Sequence, residues 1–283
     1  MNVIDTIEFI GRHPLTRQRR LAALTRLLSW QIRSRLRKDL EVRWVAGTRV
    51  IARNGMTGFT GNIYCGLHEY ADMGLLLHLL RPGDGFIDIG ANVGSYTILA
   101  SGVCHARTVA FEPDPDTARF LRRNIEANGL ADRVIVHEMA LGDSVGVVNF
   151  STGRDTMNQV MSSTDSSTRQ VSMGRLDDIS EARGAVLVKI DVEGFEEHVL
   201  GGAGRVLAAP TLLAVQSESQ TREVVSALAR HGFEQAFYDP GARTLSPTPL
   251  ADPMANGLFI RDWEAIKARV ATAERRKIIG QWV

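Results

Sequence analysis

A chain of 283 residues, 44% hydrophobic and 23% charged, is long enough to bury a substantial core, and its formal net charge of +1 gives no bulk electrostatic reason to bind nucleic acid. Its two cysteines, Cys65 and Cys104, stand far apart, and no Cys-x-x-Cys pair or histidine cluster suggests structural zinc, so the preferred reading is two buried, unpaired thiols in a reducing compartment. No run approaches the ~18 apolar residues of a membrane span and no signal-peptide core opens the sequence, so the expected location is cytoplasmic.

Charge is concentrated at the start. Residues 1–45 carry ten Lys/Arg against four Asp/Glu, and the rest of the chain nearly cancels the excess. Leu21, Leu24, Leu28, Ile32, Leu36 and Leu40 recur at helical spacing, with Arg17, Arg19, Arg20, Arg26, Arg33, Arg35, Arg37 and Lys38 largely elsewhere. The preferred reading is a helix that packs the leucine stripe on the core and solvates its basic face. The sharper alternatives are a surface for an anionic membrane or acidic acceptor, or a homodimer contact. Val42 to Tyr64 reads as short strands, with Gly55, Gly58 and Gly61 as turn markers. Residues 1–64 thus form an expected N-terminal extension, and 65–283 the main domain. Glu69 to Leu80 reads as a helix stopped by Pro82-Gly83.

From Gly85 onward strands and helices alternate. Strands are expected near 85–89, 107–112, 133–138, 185–191, 211–217, 233–238 and 256–260, and helices near 94–103, 116–128, 195–207 and 221–231. Such alternation predicts an α/β fold, a parallel sheet covered on both faces. Asp239 to Asn256 shows no helical pattern, so the last two strands should form an antiparallel ending. Met157 to Gln170, rich in Ser and Thr, reads as a loop that is either a lid or inert.

The chemistry concentrates at strand ends. Gly85 to Tyr96 is an apolar strand, a glycine-rich turn and a helix start, the arrangement that binds a nucleotide-like cofactor. Asp88 at the entrance works against a pyrophosphate but suits the ammonium and sulfonium of S-adenosylmethionine. Asn92 replaces the second glycine of Gly-x-Gly-x-x-Gly, and Asn tolerates the left-handed backbone such a turn needs. Thr108 to Glu112 is a second strand ending on an acid about 20 residues beyond the glycines, where a ribose-binding carboxylate belongs. Pro113 to Pro115 break that strand, and Asp116 or Thr117 can cap the next helix. Val186 to Ile190 is apolar except for Lys189, which must be paired or open to a cavity, and it runs into Asp191 and Glu193. Alternation puts residues 189 and 191 on one face.

Asp88-Ile89-Gly90-Ala91-Asn92-Val93-Gly94 together with Lys189-Ile190-Asp191-Val192-Glu193-Gly194-Phe195-Glu196 resembles the FkbM-type methyltransferase family, and Ala140-Leu141-Gly142-Asp143 matches it too. The resemblance covers roughly Gly66 to Arg261. It implies a class I, Rossmann-like methyltransferase fold with a seven-stranded, mostly parallel sheet, and S-adenosylmethionine as donor to a hydroxyl of a sugar or secondary metabolite. It also implies that Asp88, Gly90, Asn92 and Gly94 hold the methionine part, Glu112 the ribose, and Glu138, Met139 and Ala140 the adenine, with Asp191 near the sulfonium. One departure stands at the fifth strand, Gln216-Ser217-Glu218-Ser219, where many relatives carry Glu and a nearby His.

A hydroxyl acceptor must lose its proton, so a base is needed near the methyl. Asp191 and Glu193 are the leading candidates, with Lys189 beside them, and His198 is weaker. Mg²⁺ on Asp191 and Glu193 is disfavoured for want of further ligands. Two rivals remain: a nicotinamide-dependent oxidoreductase, which fits Asp88 and the glycine spacing poorly, and a methyltransferase-like binding protein without activity, which would not need an intact cofactor loop.

Overall fold

The computed structural model describes residues 3–151, 160–161, 168–250 and 256–283. Two helices, α1 (Val3–Arg12) and α2 (Arg20–Leu36), lead into an antiparallel hairpin of β1 (Leu40–Arg43) and β2 (Arg49–Ala52). Then come α3 (Thr57–Cys65) and α4 (Tyr70–Leu79). The expected strands up to Tyr64 therefore give way to a helix. Its glycines are not all turns: a Cβ on Gly61 would sit 2.2 Å from the His68 ring, so this glycine serves a close approach.

The core begins with β3 (Gly85–Ile89) and α5 (Ser95–Ile98), which continues as a π-helical turn over Leu99–Val103. It goes on through β4 (Arg107–Phe111), α6 (Pro115–Ala127) and β5 (Val134–His137). After an insertion come β10 (Ala185–Ile190), α7 (Glu196–Gly201), α8 (Gly204–Ala208), β11 (Ala214–Ser217), α9 (Arg222–Ala229) and β12 (Glu234–Asp239). The chain finishes with β13 (Thr244–Ser246), β14 (Gly257–Ile260), α10 (Trp263–Thr272) and a hairpin of β15 (Lys277–Ile278) and β16 (Gln281–Trp282). The insertion is a small sheet of β6 (Ala140–Leu141), β7 (Gly146–Ser151), β8 (Val160–Met161) and β9 (Thr168–Gly174). Residues 160–161 and 168–170 of the expected loop are thus strand, and its other residues lie outside the described ones.

The main sheet has the order β13-β12-β14-β11-β10-β3-β4-β5. It is a mixed α/β, Rossmann-like sheet, but it has eight strands rather than seven. The addition is β13, a three-residue strand pairing Thr244 to Ser246 antiparallel with Asp239 to Phe237 at the edge. β5, β4, β3, β10 and β11 pair in parallel, and β14 runs antiparallel between β11 and β12, the antiparallel ending expected from the sequence. Strand order reverses direction between β3 and β10, so the ligand crevice of an open sheet belongs at their carboxyl ends.

The central strands bury both faces; Phe86, Ile87, Leu187 and Val188 are each within 1% of full burial. The helix after β4 starts earlier than expected, with Pro115 in its first turn and Asp114, not Asp116 or Thr117, accepting from the Thr117 N–H at 3.1 Å. Asn124 on α6 and Asn128 at its C-terminal cap act as a substitute strand edge for β2. The Ile51 N–H donates to Asn124 Oδ1 at 2.6 Å and the Arg49 N–H to Asn128 Oδ1 at 2.8 Å, which fixes the N-terminal hairpin to the core.

The N-terminal helix reverses the sequence expectation. Its buried face is Ala23, Leu27, Trp30 and Ser34. Leu21, Leu28, Ile32 and Leu36 point outward, 83%, 61%, 61% and 78% exposed. Leu24 is only partly buried and Leu40 belongs to β1. The helix is apolar on two opposite sides, and the side carrying the large Trp30 packs inward.

Candidate active site

A cavity of about 520 Å³ opens at the carboxyl ends of β3, β4, β10 and β11. Its back wall is the turn after β3. Gly90, Asn92 and Gly94 all have left-handed backbones, with φ of +78°, +50° and +98°. A Cβ on Gly90 would lie 1.8 Å from the Asp191 carbonyl oxygen, so this position takes no side chain. The turn is held from behind, because the Gly90 and Ala91 N–H groups donate to the Phe111 carbonyl at 3.0 and 2.9 Å. Asn92 Oδ1 accepts from the Val93 N–H at 2.7 Å.

Carboxylates dominate the lining. Glu69, Asp88, Glu112, Asp191, Glu193 and Glu218 face a single lysine, Lys189. Asp88 is 1% exposed; its Oδ2 accepts from the Thr97 hydroxyl at 2.6 Å, and its Oδ1 has no protein partner among the described residues. Burial raises its pKa, against the pull of Lys189. Glu112 accepts from the Asn92 N–H at 2.9 Å and from the Asp114 N–H at 3.0 Å, and burial pushes it up to about 7. Two backbone donors aim this carboxylate into the cavity and leave lone pairs to spare.

Lys189 is 4% exposed and sits in register with Asp88 across the β3–β10 pair. Its ammonium meets Asp191 Oδ2 at 2.6 Å and lies 4.6 Å from the centre of the Tyr96 ring. Burial alone would favour neutral Lys189, but Asp191, Glu69 and Asp88 outweigh it and raise its pKa. Burial likewise opposes the Asp191 charge, and Lys189 overcomes that and lowers its pKa. This pair is ionised. Tyr96 donates to Glu69 Oε2 at 2.5 Å, closing the ring of side chains below the lysine.

Glu218 follows β11 and stands exposed at the mouth. Its carboxylate oxygens come within 4.8 Å of those of Asp191 and Glu193. It shares a hydrogen bond with Asp191, and partial burial, then the neighbouring charges of Asp191 and Glu193, push it up to about 8. Glu193 has a left-handed backbone, φ +52°, and a pKa raised first by burial.

Of the residues singled out from sequence, Asp88, Gly90, Asn92, Glu112, Met139, Ala140, Lys189, Asp191 and Glu193 line this cavity. Gly94 stands behind it, where a Cβ would meet Leu121 at 2.6 Å. Glu138 is exposed and pairs with Arg122. His198 stacks on Phe195 at 4.3 Å and bonds Asp143 at 2.8 Å, away from the lining. Glu69, Tyr96 and Glu218 are additions. Glu218 had a signal, since it directly follows a core strand at the carboxyl edge. Glu69 and Tyr96 had none, because only tertiary packing brings them to Lys189. Cys65 and Cys104 are buried free thiols, each raised by burial to about 11.

Acids in the cavity wall, with the buried Asp72 of α4, make the ligand-free protein sensitive to pH. Glu112 and Glu218 have folded pKa values above their ordinary range, as do Asp72 and Asp88, so the folded state binds more protons than the unfolded one. Their contribution is complete below about pH 4 and is lost as pH rises through about 7 and 8. Burial lowers His68 and His78, which act oppositely but only below about 6.5. Thermal melts at constant ionic strength should therefore show Tm falling by a few degrees from about pH 6.5 to about pH 8. A flat or rising Tm across that window would mean these acids are not strained.

A profile of the methyltransferase FkbM domain family matches residues 88–234, which include the β3 turn, Glu112 and the Lys189–Glu196 segment. The hexuronic acid methyltransferase AglP of Haloferax volcanii is 29% identical over 145 residues, 50% of this chain and 59% of that protein. This chain thus spans less than two thirds of that relative's length. The 31-O-demethyl-FK506 methyltransferase FkbM of Streptomyces tacrolimicus is 29% identical over 195 residues, 54% of this chain and 74% of that protein. Among solved structures, the putative transferase PH0793 from Pyrococcus horikoshii aligns at 12% identity with a TM-score of 0.45, over 79% of this chain and 70% of that one. The fold assignment rests on the sheet order itself. Among the described residues no helix is long and apolar enough to cross a membrane.

Proposed function

This chain belongs to the FkbM methyltransferase family, and from that premise we propose that it transfers a methyl group from S-adenosylmethionine to a hydroxyl of a sugar or other small-molecule acceptor. The observation that carries the reading is the acid-lined cavity over a turn that accepts no side chain at Gly90. S-adenosylmethionine brings a sulfonium and an ammonium, and six lining carboxylates against one lysine complement that charge. The donor set fits. The unpartnered Asp88 Oδ1 would accept a hydrogen bond from the ammonium, Glu112 would accept from the ribose hydroxyls, and Met139 and Ala140 would border the adenine.

When bound, the cofactor supplies an electrophilic methyl on sulfur. The chain's own residues align the acceptor, exclude water and remove its proton. Asp191 is held ionised by Lys189 and serves to orient and to stabilise positive charge. Glu218 is the base, reached by solvent at the mouth, and Glu193 lies beside it. We assign the acceptor side to residues 1–64, because Trp30, Gln31, Asn54 and Thr60 line the cavity, and the transfer chemistry to 65–283.

The test is calorimetry with S-adenosylhomocysteine and with NAD. Binding of the former alone is expected, and Glu112→Gln should weaken it roughly tenfold or more, since a charged hydrogen bond is worth ~1.5–3 kcal/mol. Binding of NAD, or unchanged affinity in Glu112→Gln, would move the protein out of this reading.

A further inference from the structure

Two features of α2 play no part in methyl transfer. The first is its outward stripe of Leu21, Leu28, Ile32 and Leu36. At about 100° per residue these four lie within an arc of roughly 80°, and they extend over about 22 Å of helix. They face away from the core that Ala23, Leu27 and Trp30 join. The second is a cleft of about 380 Å³ between α2, the β1–β2 hairpin and β15. The charged residues in its wall are Arg26, Arg33, Arg43 and Lys277, with no carboxylate among them. Arg26 donates to the Tyr64 carbonyl at 2.7 Å. Arg33, Arg43 and Lys277 form no ion pair among the described residues.

The two features adjoin. On the helix surface Thr25 of the cleft wall lies within the arc of the stripe, and Ser29 lies between the stripe and Arg33. On the other flank stand the exposed Arg20 and Arg35. An aliphatic stripe edged on both sides by guanidinium groups has the pattern of a helix lying in a lipid interface.

We infer that α2 docks this protein on the surface of an anionic phospholipid bilayer, with the leucine–isoleucine stripe in the acyl boundary and the adjoining basic cleft holding a lipid phosphate. Charge decides against a second copy of this chain as the occupant. A two-fold contact through the stripe would bring the same arginine rows together, like charge against like. A bilayer supplies an apolar layer bordered by phosphates, which matches both features at once. Docking is independent of what the cavity binds.

The experiment is vesicle flotation with the full chain at two lipid compositions, phosphatidylcholine alone and phosphatidylcholine with phosphatidylglycerol. The protein should float with the anionic vesicles and partition roughly tenfold or more weakly to the neutral ones, and added salt should weaken binding. Leu28→Ser/Ile32→Ser should lower partitioning about tenfold or more, and so should Arg33→Glu/Arg43→Glu. These side chains are exposed, so both variants should keep the wild-type Tm, which separates lost docking from lost folding. Absence of flotation with anionic vesicles overturns the inference. So does equal binding by wild type and both variants, or a dimer in solution that Leu28→Ser/Ile32→Ser dissociates while vesicles bind neither form.

Discussion

Gly90→Ala is expected to abolish the cofactor site and to destabilise the protein by about 2–5 kcal/mol, the sum of a left-handed backbone penalty and overpacking. The added methyl would lie 1.8 Å from the Asp191 carbonyl oxygen, a backbone atom that no rotamer change can move aside. Asp191 in turn is tied to the β3 end by its N–H donating to the Ile89 carbonyl at 3.0 Å. Relief of the clash must therefore separate the β3 turn from the start of the β10 loop, which displaces both the donor wall and the Lys189–Asp191 pair. Gly83→Ala is the matched control. Gly83 has φ +84° and nothing within 4 Å of the place a methyl would occupy, so that variant incurs the backbone penalty alone. Urea denaturation should show Gly90→Ala losing clearly more than Gly83→Ala, and calorimetry should show no S-adenosylhomocysteine binding. Equal losses in the two variants would mean that the turn has room to relax.

The strand ends were readable because they obey a strong constraint. A strand buried on both faces tolerates a charge only where it meets a ligand or a partner, so Asp88, Lys189, Asp191 and Glu112 stood out against Phe86, Ile87, Val109 and Val188. Other features depended on contacts that the pattern does not encode. The helix α2 carries apolar residues on two opposite sides, and spacing alone picked out the more regular row. What decided the matter was volume, since Trp30 fills space beside Phe59 and Tyr64 that a leucine row would leave open. β13 escaped notice because three residues show no alternation, and α3 was masked by its glycines. Glu218 stands in the sequence only as part of a departure at the fifth strand, where the resemblance leads one to look for Glu and a nearby His. The geometry makes its position, just beyond the β11 end, the meaningful signal.

The second large effect should fall on the acid pair at the mouth, and two isosteric substitutions separate its members. Asp191→Asn leaves Lys189, 4% exposed, without its 2.6 Å carboxylate, though the amide oxygen still accepts one hydrogen bond. It should cost about 1–3 kcal/mol of stability and lower methyl transfer roughly 10²-fold. Glu218→Gln touches an exposed residue whose protonated form the fold already favours, so the variant should be at least as stable as wild type near neutral pH and lose part of the Tm fall toward pH 8, while transfer falls by a similar ~10²-fold, the effect of losing a general base. Their pH profiles should differ. In the free enzyme Glu218 is raised to about 8, so kcat/KM should rise with pH up to that value as the carboxylate forms. A bound sulfonium favours the carboxylate, so the same limb in kcat should appear at lower pH. Glu218→Gln should erase this limb, whereas Asp191→Asn, which leaves the burial but removes the nearest negative charge favouring protonated Glu218, should shift it downward and keep it. Retention of the wild-type limb in Glu218→Gln would transfer the base role to Asp191 or Glu193 and leave Glu218 as a wall residue.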